Sequence, residues 1–201
     1  MIVRAEPRDA EVLARVVYRA FQNIAPCVWL FPNDEDRQKY LPALLRMDVE
    51  EALEGGIVYT NEDRSAAALW YVHHGGPFKA DPGHDARVVE AVGPEHAARI
   101  RAFGACTGTV RPAEPHDYLF IAAVDPAKQR QGIGSRLLAA CHRELAQGGR
   151  PAYLEASDAG TRGVYLGLGY VDEEGPGIVL PGPEETRLYP MRRPWARVVS
   201  Q

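Results

Sequence analysis

Two spacings of apolar residues run through this 201-residue chain, one of helices and one of strands. Val12, Leu13, Val16, Val17, Ala20 and Phe21 recur at the interval of a single helix face, behind a Pro7 suited to a first helical turn. The same interval returns in Leu41, Leu44, Leu45, Val49, Ala52 and Leu53, where Asn33 or Asp34 can cap the start and Gly55-Gly56 the end. It returns again in Ile133, Leu137, Leu138, Cys141 and Leu145, with Arg136, Arg143, Glu144 and Gln147 on the opposite side. Strand patterns are expected at 2–5, in a hairpin of 57–60 and 65–74, in the unbroken apolar run Tyr118 to Val124, at Pro151 to Ala156, and in a closing hairpin of 169–180 and 185–193. Ala25 to Pro32 breaks the helical period with two prolines and reads as an apolar connection. Residues 75–93 read as a loop with a brief helix near Ala86 to Val92, followed by a helix that Pro94 starts and that runs through Phe103. Asp158 can cap a short helix ending near Gly167. No repeat or second-domain boundary appears, so residues 1–201 are expected to form one domain.

A mixed order of this kind, with a right-handed crossover from Tyr118–Val124 to the next strand, predicts a mixed α/β (α+β) protein. Net charge of −4 and a pI near 5.9 give no electrostatic case for nucleic acid. Three cysteines, odd in number and without a CxxC pair, support neither a disulfide framework nor a zinc site, so no metal is expected and a reducing cytoplasm is. The adjacent His73 and His74 would point to opposite faces of a strand and could not easily share a metal. The N-terminus MIVRAEPRDAEV lacks an apolar segment of signal length and no stretch is long enough to span a bilayer, so no membrane association is expected.

The chemistry concentrates where the central strand turns into its helix. Asp125-Pro126 ends the strand, and Gln129-Arg130-Gln131-Gly132-Ile133-Gly134 sets two glycines where side chains would otherwise screen the amides that open the helix. Free N–H donors, the positive end of the helix dipole, Arg130 and Lys128 suit a phosphate or pyrophosphate. No G-x-x-x-x-G-K-[ST] occurs, which excludes a P-loop. A dinucleotide site has partial support from Glu155, 21 residues after Gly134, but Leu137 stands where a third glycine is needed and seven residues separate the strand from Gly132.

That longer loop, with Gln129-x-x-Gly132-x-Gly134, resembles the acyl-CoA signature Q/R-x-x-G-x-G/A of the GNAT N-acetyltransferase superfamily. The resemblance extends over AAVDPAKQRQGIGSRLL, YLEAS at 153–157, Tyr165-x-x-x-Gly169-Tyr170, the opening helix pair and the closing Leu188-Tyr189-Pro190-Met191-Arg192. Over nearly its full length the chain is similar to the branch containing puromycin N-acetyltransferase. Thr161 stands where that family often has Asn, and Tyr170 where it more commonly has Phe.

The resemblance implies a central mixed sheet of about 6–7 strands, acetyl-CoA as co-substrate, and direct transfer to an amine of a small molecule within a ternary complex. Its alternatives are acetylation of a protein N-terminus or lysine, and an inactive acyl-CoA-binding module. It places acyl-CoA on Ala122, Ala123, Val124, Gln129, Arg130, Gln131, Gly132, Ile133, Gly134 and Ser135, with the pantetheine arm in a splay between adjacent parallel strands. It makes Tyr165 the proton donor to the leaving thiolate, since a phenol stays protonated at neutral pH. Glu155 is the candidate base, with Asp117, His73 and His74 as rivals. The segment after the first helix overhangs the acceptor in that family, so Trp29 and Phe31, with Trp70 and Tyr71 of the hairpin, are expected to line a partly apolar acceptor pocket. A monomer or homodimer is expected.

Overall fold

The computed structural model describes residues 1–76, 83–182 and 185–195. Part of the expected loop (77–82), the tip of the closing hairpin (183–184) and residues 196–201 lie outside the described residues.

The chain opens with strand β1 (Ile2–Arg4) and a 3-10 turn begun by Pro7, which leads into helix α1 (Ala10–Phe21) with Leu13, Val16 and Val17 buried. The apolar connection expected next is instead a short helix, α2 (Ala25–Leu30). Its Pro26 sits in the first turn, where a missing N–H costs nothing, so the proline that broke the apolar period opens a helix. Helix α3 (Asp34–Gly55) starts under Asn33, whose side chain accepts the Asp36 amide at 3.0 Å, with three carboxylates in its first turn to complement the dipole. It ends at Gly56. A Cβ there would lie 2.5 Å from the Trp70 carbonyl oxygen and 3.0 Å from that of Ala52, both backbone atoms that cannot step aside. Gly56→Ala should therefore destabilise the protein by about 1–3 kcal/mol. It would be read as a lower urea midpoint at unchanged slope, and an unchanged midpoint would show that the helix end can slide.

The hairpin of β2 (Ile57–Asn61) and β3 (Ala66–His73) follows as expected. Helix α4 (His84–Gly108) is longer than the two pieces read from sequence and breaks between them, at Gly93 with φ of 80° before Pro94. Then come β4 (His116–Val124), α5 (Ile133–Leu145), β5 (Ala152–Ala156), α6 (Ala159–Gly167), β6 (Val171–Asp172), β7 (Ile178–Leu180) and β8 (Thr186–Arg193). Among the described residues the sheet has eight strands in the order β1-β2-β3-β4-β5-β8-β6, with β7 beside β8. It exceeds the expected number because the closing hairpin contributes two short strands against β8.

The sheet buries both faces. Ala67, Leu69, Ile121 and Ala123 pack with α1, α2, α3 and α4 on one side, while Trp70, Leu119, Leu154 and Ala156 pack with α5 on the other. Leu119 and Ile121 share parity yet face opposite layers, because Leu69 pairs with Ile121 but Trp70 with Leu119. Phe120 is thus the extra residue of a β-bulge in the middle of β4, which re-aims the second half of the strand.

Candidate active site

Strands β4 and β5 run parallel but pair only at Asp117–Ala152 and Tyr118–Tyr153. Beyond those rungs they part, and the edge of β4 from the bulge to Val124 faces a wedge with no strand across it. Ala122 and Val124 border this wedge half-buried, on the α5 side; Ala123 packs into the opposite layer. The wedge offers extended backbone N–H and C=O groups at its mouth, next to the start of α5.

The turn at that mouth is an amide cradle. Arg130 and Gly132 both have positive φ, 60° and 72°, and Gly132 is the residue before α5. The backbone amides from Arg130 to Ser135 find no acceptor among the described residues, and the first α5-type bond is Arg136 N to Gly132 O at 3.0 Å. A Cβ on Gly134 would stand 3.4 Å from Val124 Cγ2, so the glycine lets the helix start sit close to the strand end. Gln129 Nε2 donates to the Val124 carbonyl at 3.0 Å and ties the loop to the strand. Arg130 is exposed beside these amides, whereas Lys128 is held by Asp63 and Asp125 by Arg19. The donors, the dipole and Arg130 fit a pyrophosphate, and the unpaired β4 edge fits the extended amide-bearing arm of CoA. The expected residues Gln129, Arg130, Gln131, Gly132, Ile133, Gly134 and Ser135 thus come together with Ala122 and Val124.

At the base of the wedge, on the face away from α5, Glu155 belongs to a buried network. Tyr118 donates its hydroxyl to Glu155 Oε2 at 2.8 Å, while Arg111 Nη2 reaches the Tyr118 hydroxyl at 3.0 Å and Glu155 Oε1 at 3.4 Å. The Arg111 guanidinium also lies 4.2 Å from the centre of the Tyr118 ring. Burial raises the Glu155 carboxyl above its usual value, against the opposing pull of Arg111 and Tyr118. Ala152, Leu154 and Ala156 face α5, so Glu155 points away from the amide cradle and is not placed to hold a ribose there. Of the rival bases, Asp117 is buried at the closed end of the wedge and bound by Arg150 Nε at 2.8 Å. His73 lies further along, its ring 4.8 Å from that of His116, which pairs with it across β3 and β4.

Tyr165 sits near the end of α6, which Asp158 caps by accepting the amides of Gly160 and Thr161 at 2.7 and 2.9 Å. Its ring meets that of Tyr170 edge-on at 5.6 Å. Its hydroxyl has no partner among the described residues, and burial with the charge of Asp158 pushes the phenol up to about 12. It is a protonated donor with nothing among the described residues to donate to.

The four residues expected around the acceptor do not converge. Trp70 is fully buried in the α5 layer, edge-on to His142, because neighbouring strand residues face opposite sides. Phe31 has no exposed surface, and His96 of α4 packs against it at 5.3 Å and against Tyr40 at 4.7 Å. Trp29 is a seam residue: its Nε1 donates to Pro181 O at 2.8 Å and Arg99 lies over its ring at 4.4 Å. Tyr71 alone remains on the wedge-side face as an open wall, 6.0 Å from Phe120, which is 37% exposed at the bulge. Sequence reading did not single out Arg111, Tyr118 or Phe120. Arg111 lies in an irregular segment and meets Glu155 only through the fold, and a bulge leaves no mark in an unbroken apolar run.

Residues 94–172 match a family model described as Acetyltransferase (GNAT) domain. In fold the whole chain is similar to the histone acetyltransferase HPA2 and related acetyltransferase of Corynebacterium glutamicum, at 24% identity and a TM-score of 0.69, covering 100% of this chain and 98% of that one. It is similar to arylalkylamine N-acetyltransferase 2 of Aedes aegypti, at 13% identity and a TM-score of 0.66 over 98% and 99% of the two chains. The PaiA N-acetyltransferase of Thermoplasma acidophilum, solved in complex with coenzyme A, shares 12% identity and a TM-score of 0.56 over 97% and 98%. No curated protein sequence matches the chain.

Proposed function

We propose that this chain is a GNAT-type acetyltransferase that moves an acetyl group from acetyl-CoA directly to the amine of a small molecule, with both reactants held at the wedge between β4 and β5. The observation that carries the reading is the continuity of two sets of backbone groups, the amides of Arg130 to Ser135, which find no acceptor among the described residues, and the edge of β4 that β5 leaves uncovered beyond Tyr118. The first set suits the pyrophosphate of the donor and the second its amide-bearing arm. Acetyl-CoA contributes an acyl group already activated as a thioester. The protein contributes position, which for two bound reactants can be worth about 7–11 kcal/mol.

Glu155 takes the proton of the attacking amine, fixed in place by Tyr118 and Arg111. Tyr165 directs its hydroxyl at the sulfur as the thiolate departs. A β4 amide near Val124 serves the carbonyl oxygen of the acetyl group. Tyr71 and Phe120 form the apolar wall of the acceptor site. On this face α4 packs against α2 and α3, with the Trp29 and Phe103 rings 6.2 Å apart, and a small acceptor is the reading proposed. The free thiols Cys27, Cys106 and Cys141 agree with a cytoplasmic location.

Thermal unfolding with acetyl-CoA, CoA, NAD and NADP tests the donor. At 100 times its Kd a ligand adds about 2.7 kcal/mol. A rise in Tm with the two CoA ligands alone is expected, and a rise with the dinucleotides would sink the assignment. Release of CoA thiol over a panel of small amines and of peptides with free N-termini or lysines then decides the acceptor class.

A further inference from the structure

At the end of α5 opposite the amide cradle, a cavity of about 520 Å³ opens on the α5 face of the sheet. It lies between the last turn of α5, the first residue of β5, the end of α6 and the end of β8, and Asp117 forms part of its wall. The paired rungs Asp117–Ala152 and Tyr118–Tyr153 stand between it and the open part of the wedge.

Three guanidinium groups line this cavity, from Arg143, Arg150 and Arg193. Only Arg150 has a counter-charge there: it holds the buried Asp117 carboxylate at 2.8 Å. Arg193 donates its Nε to the Leu168 carbonyl at 3.1 Å, which fixes the side chain without neutralising it. Arg143 has no hydrogen-bond or ion-pair partner among the described residues. The neighbouring acids are committed elsewhere, Glu144 to Arg4 and Glu173 to Arg192. His142, also in the wall, adds no charge at pH 7, because burial and the charge of Arg193 push it down to about 4. The fold thus gathers two uncompensated cations around one recess of a chain whose net charge is −4.

Guanidinium forks without carboxylates match the oxygens of a carboxylate or phosphate, which can bridge two of them with charge-assisted hydrogen bonds. The rest of the wall suits the body of such a ligand. It includes Leu145, Leu168 and Trp195, whose Nε1 donates to the Ala146 carbonyl at 3.1 Å and whose ring is 38% exposed at the rim. The volume falls within the range of about 300–1,000 Å³ that small-molecule sites occupy.

We propose that this cavity binds a small organic oxyanion, a carboxylate or phosphate ester held between Arg143 and Arg193 with its apolar part against Leu145, Leu168 and Trp195. The site is separate from the wedge and does not depend on the transfer reaction proposed there.

The test is calorimetric binding of phenyl phosphate, benzoate and the neutral benzyl alcohol, with excess CoA present to compete for the amide cradle. Wild type should bind at least one of the two oxyanions about tenfold or more tightly than the alcohol, and the oxyanion that holds the preference identifies the head group. Arg143→Met and Arg193→Met should each abolish the preference, and Arg15→Met, which removes an exposed arginine of α1, should leave it unchanged. Arg143 is exposed on α5, so its variant keeps the test decisive if loss of the Arg193–Leu168 bond weakens the fold. A wild type without preference, a preference that survives in Arg143→Met, or an equal loss in Arg15→Met would overturn the proposal, the last by showing diffuse attraction to surface charge. Tryptophan emission supplies the location. It should change as the oxyanion binds, and Trp195→Phe should remove the change; a change that persists without Trp195 would place the ligand elsewhere and sink the assignment.

Discussion

Tyr165→Phe should lower kcat for acetyl transfer by about 10²- to 10³-fold, with the Kd for acetyl-CoA unchanged. The phenol has no partner among the described residues, so its loss strands no buried group there and leaves α6, capped by Asp158, intact. The size of the effect follows from its acidity. A phenol pushed up to about 12 holds its proton more tightly than a thiol of ordinary pKa near 8.5. Full transfer to the departing thiolate is therefore uphill, and the hydroxyl acts chiefly as a hydrogen-bond donor to developing charge. Removing one such donor costs what removing one oxyanion donor costs, about 2.7–4 kcal/mol. The same acidity predicts that Tyr165 imposes no alkaline limb on kcat below about pH 10. A loss under tenfold, or a loss matched by weaker acetyl-CoA binding, would leave Tyr165 a packing residue against Tyr170.

The helices and the glycine-bearing loop before α5 were legible because their signals are local. The stripe Leu13, Val16, Val17 and the Asn33 cap act within a few residues of themselves, and so does the pair Gly132 and Gly134 at a helix start. What escaped depends on distance or on a reversal of a local rule. Pro26 reads as a breaker and acts as a helix opener. Trp70 and Tyr71 look like one aromatic pair, yet the strand sends them to opposite layers. The bulge at Phe120 is set by pairing with β3, and neither strand announces it alone. Arg111 becomes part of the site only when the segment between α4 and β4 folds over the wedge.

Glu155→Gln should reduce kcat/KM at pH 7.5 by about 10²-fold, and the deficit should shrink as pH rises toward the pKa of the acceptor amine, about 10. The reasoning starts from the amine, which is almost wholly protonated at neutral pH and must lose that proton to attack. Wild type removes it with Glu155 and should show a plateau above the carboxyl's pKa, which burial places above the usual carboxylate range. Below that pKa the base is protonated and the rate falls with pH. The variant has no base, so its rate should climb with the fraction of free amine and meet wild type only at high pH. Glutamine keeps an oxygen for the Tyr118 hydroxyl but leaves Arg111 without its counter-charge, a loss that costs about 3–5 kcal/mol in buried pairs. Stability and acetyl-CoA affinity are therefore measured beside the rate. Arg111→Met supplies the opposite perturbation: without the cation the Glu155 carboxyl rises further, and the acidic limb of the wild-type profile should move to higher pH. A deficit in Glu155→Gln that stays constant from pH 6 to 10, with no movement of the limb in Arg111→Met, would make the network a clasp between β4 and β5 and leave the amine to lose its proton to water.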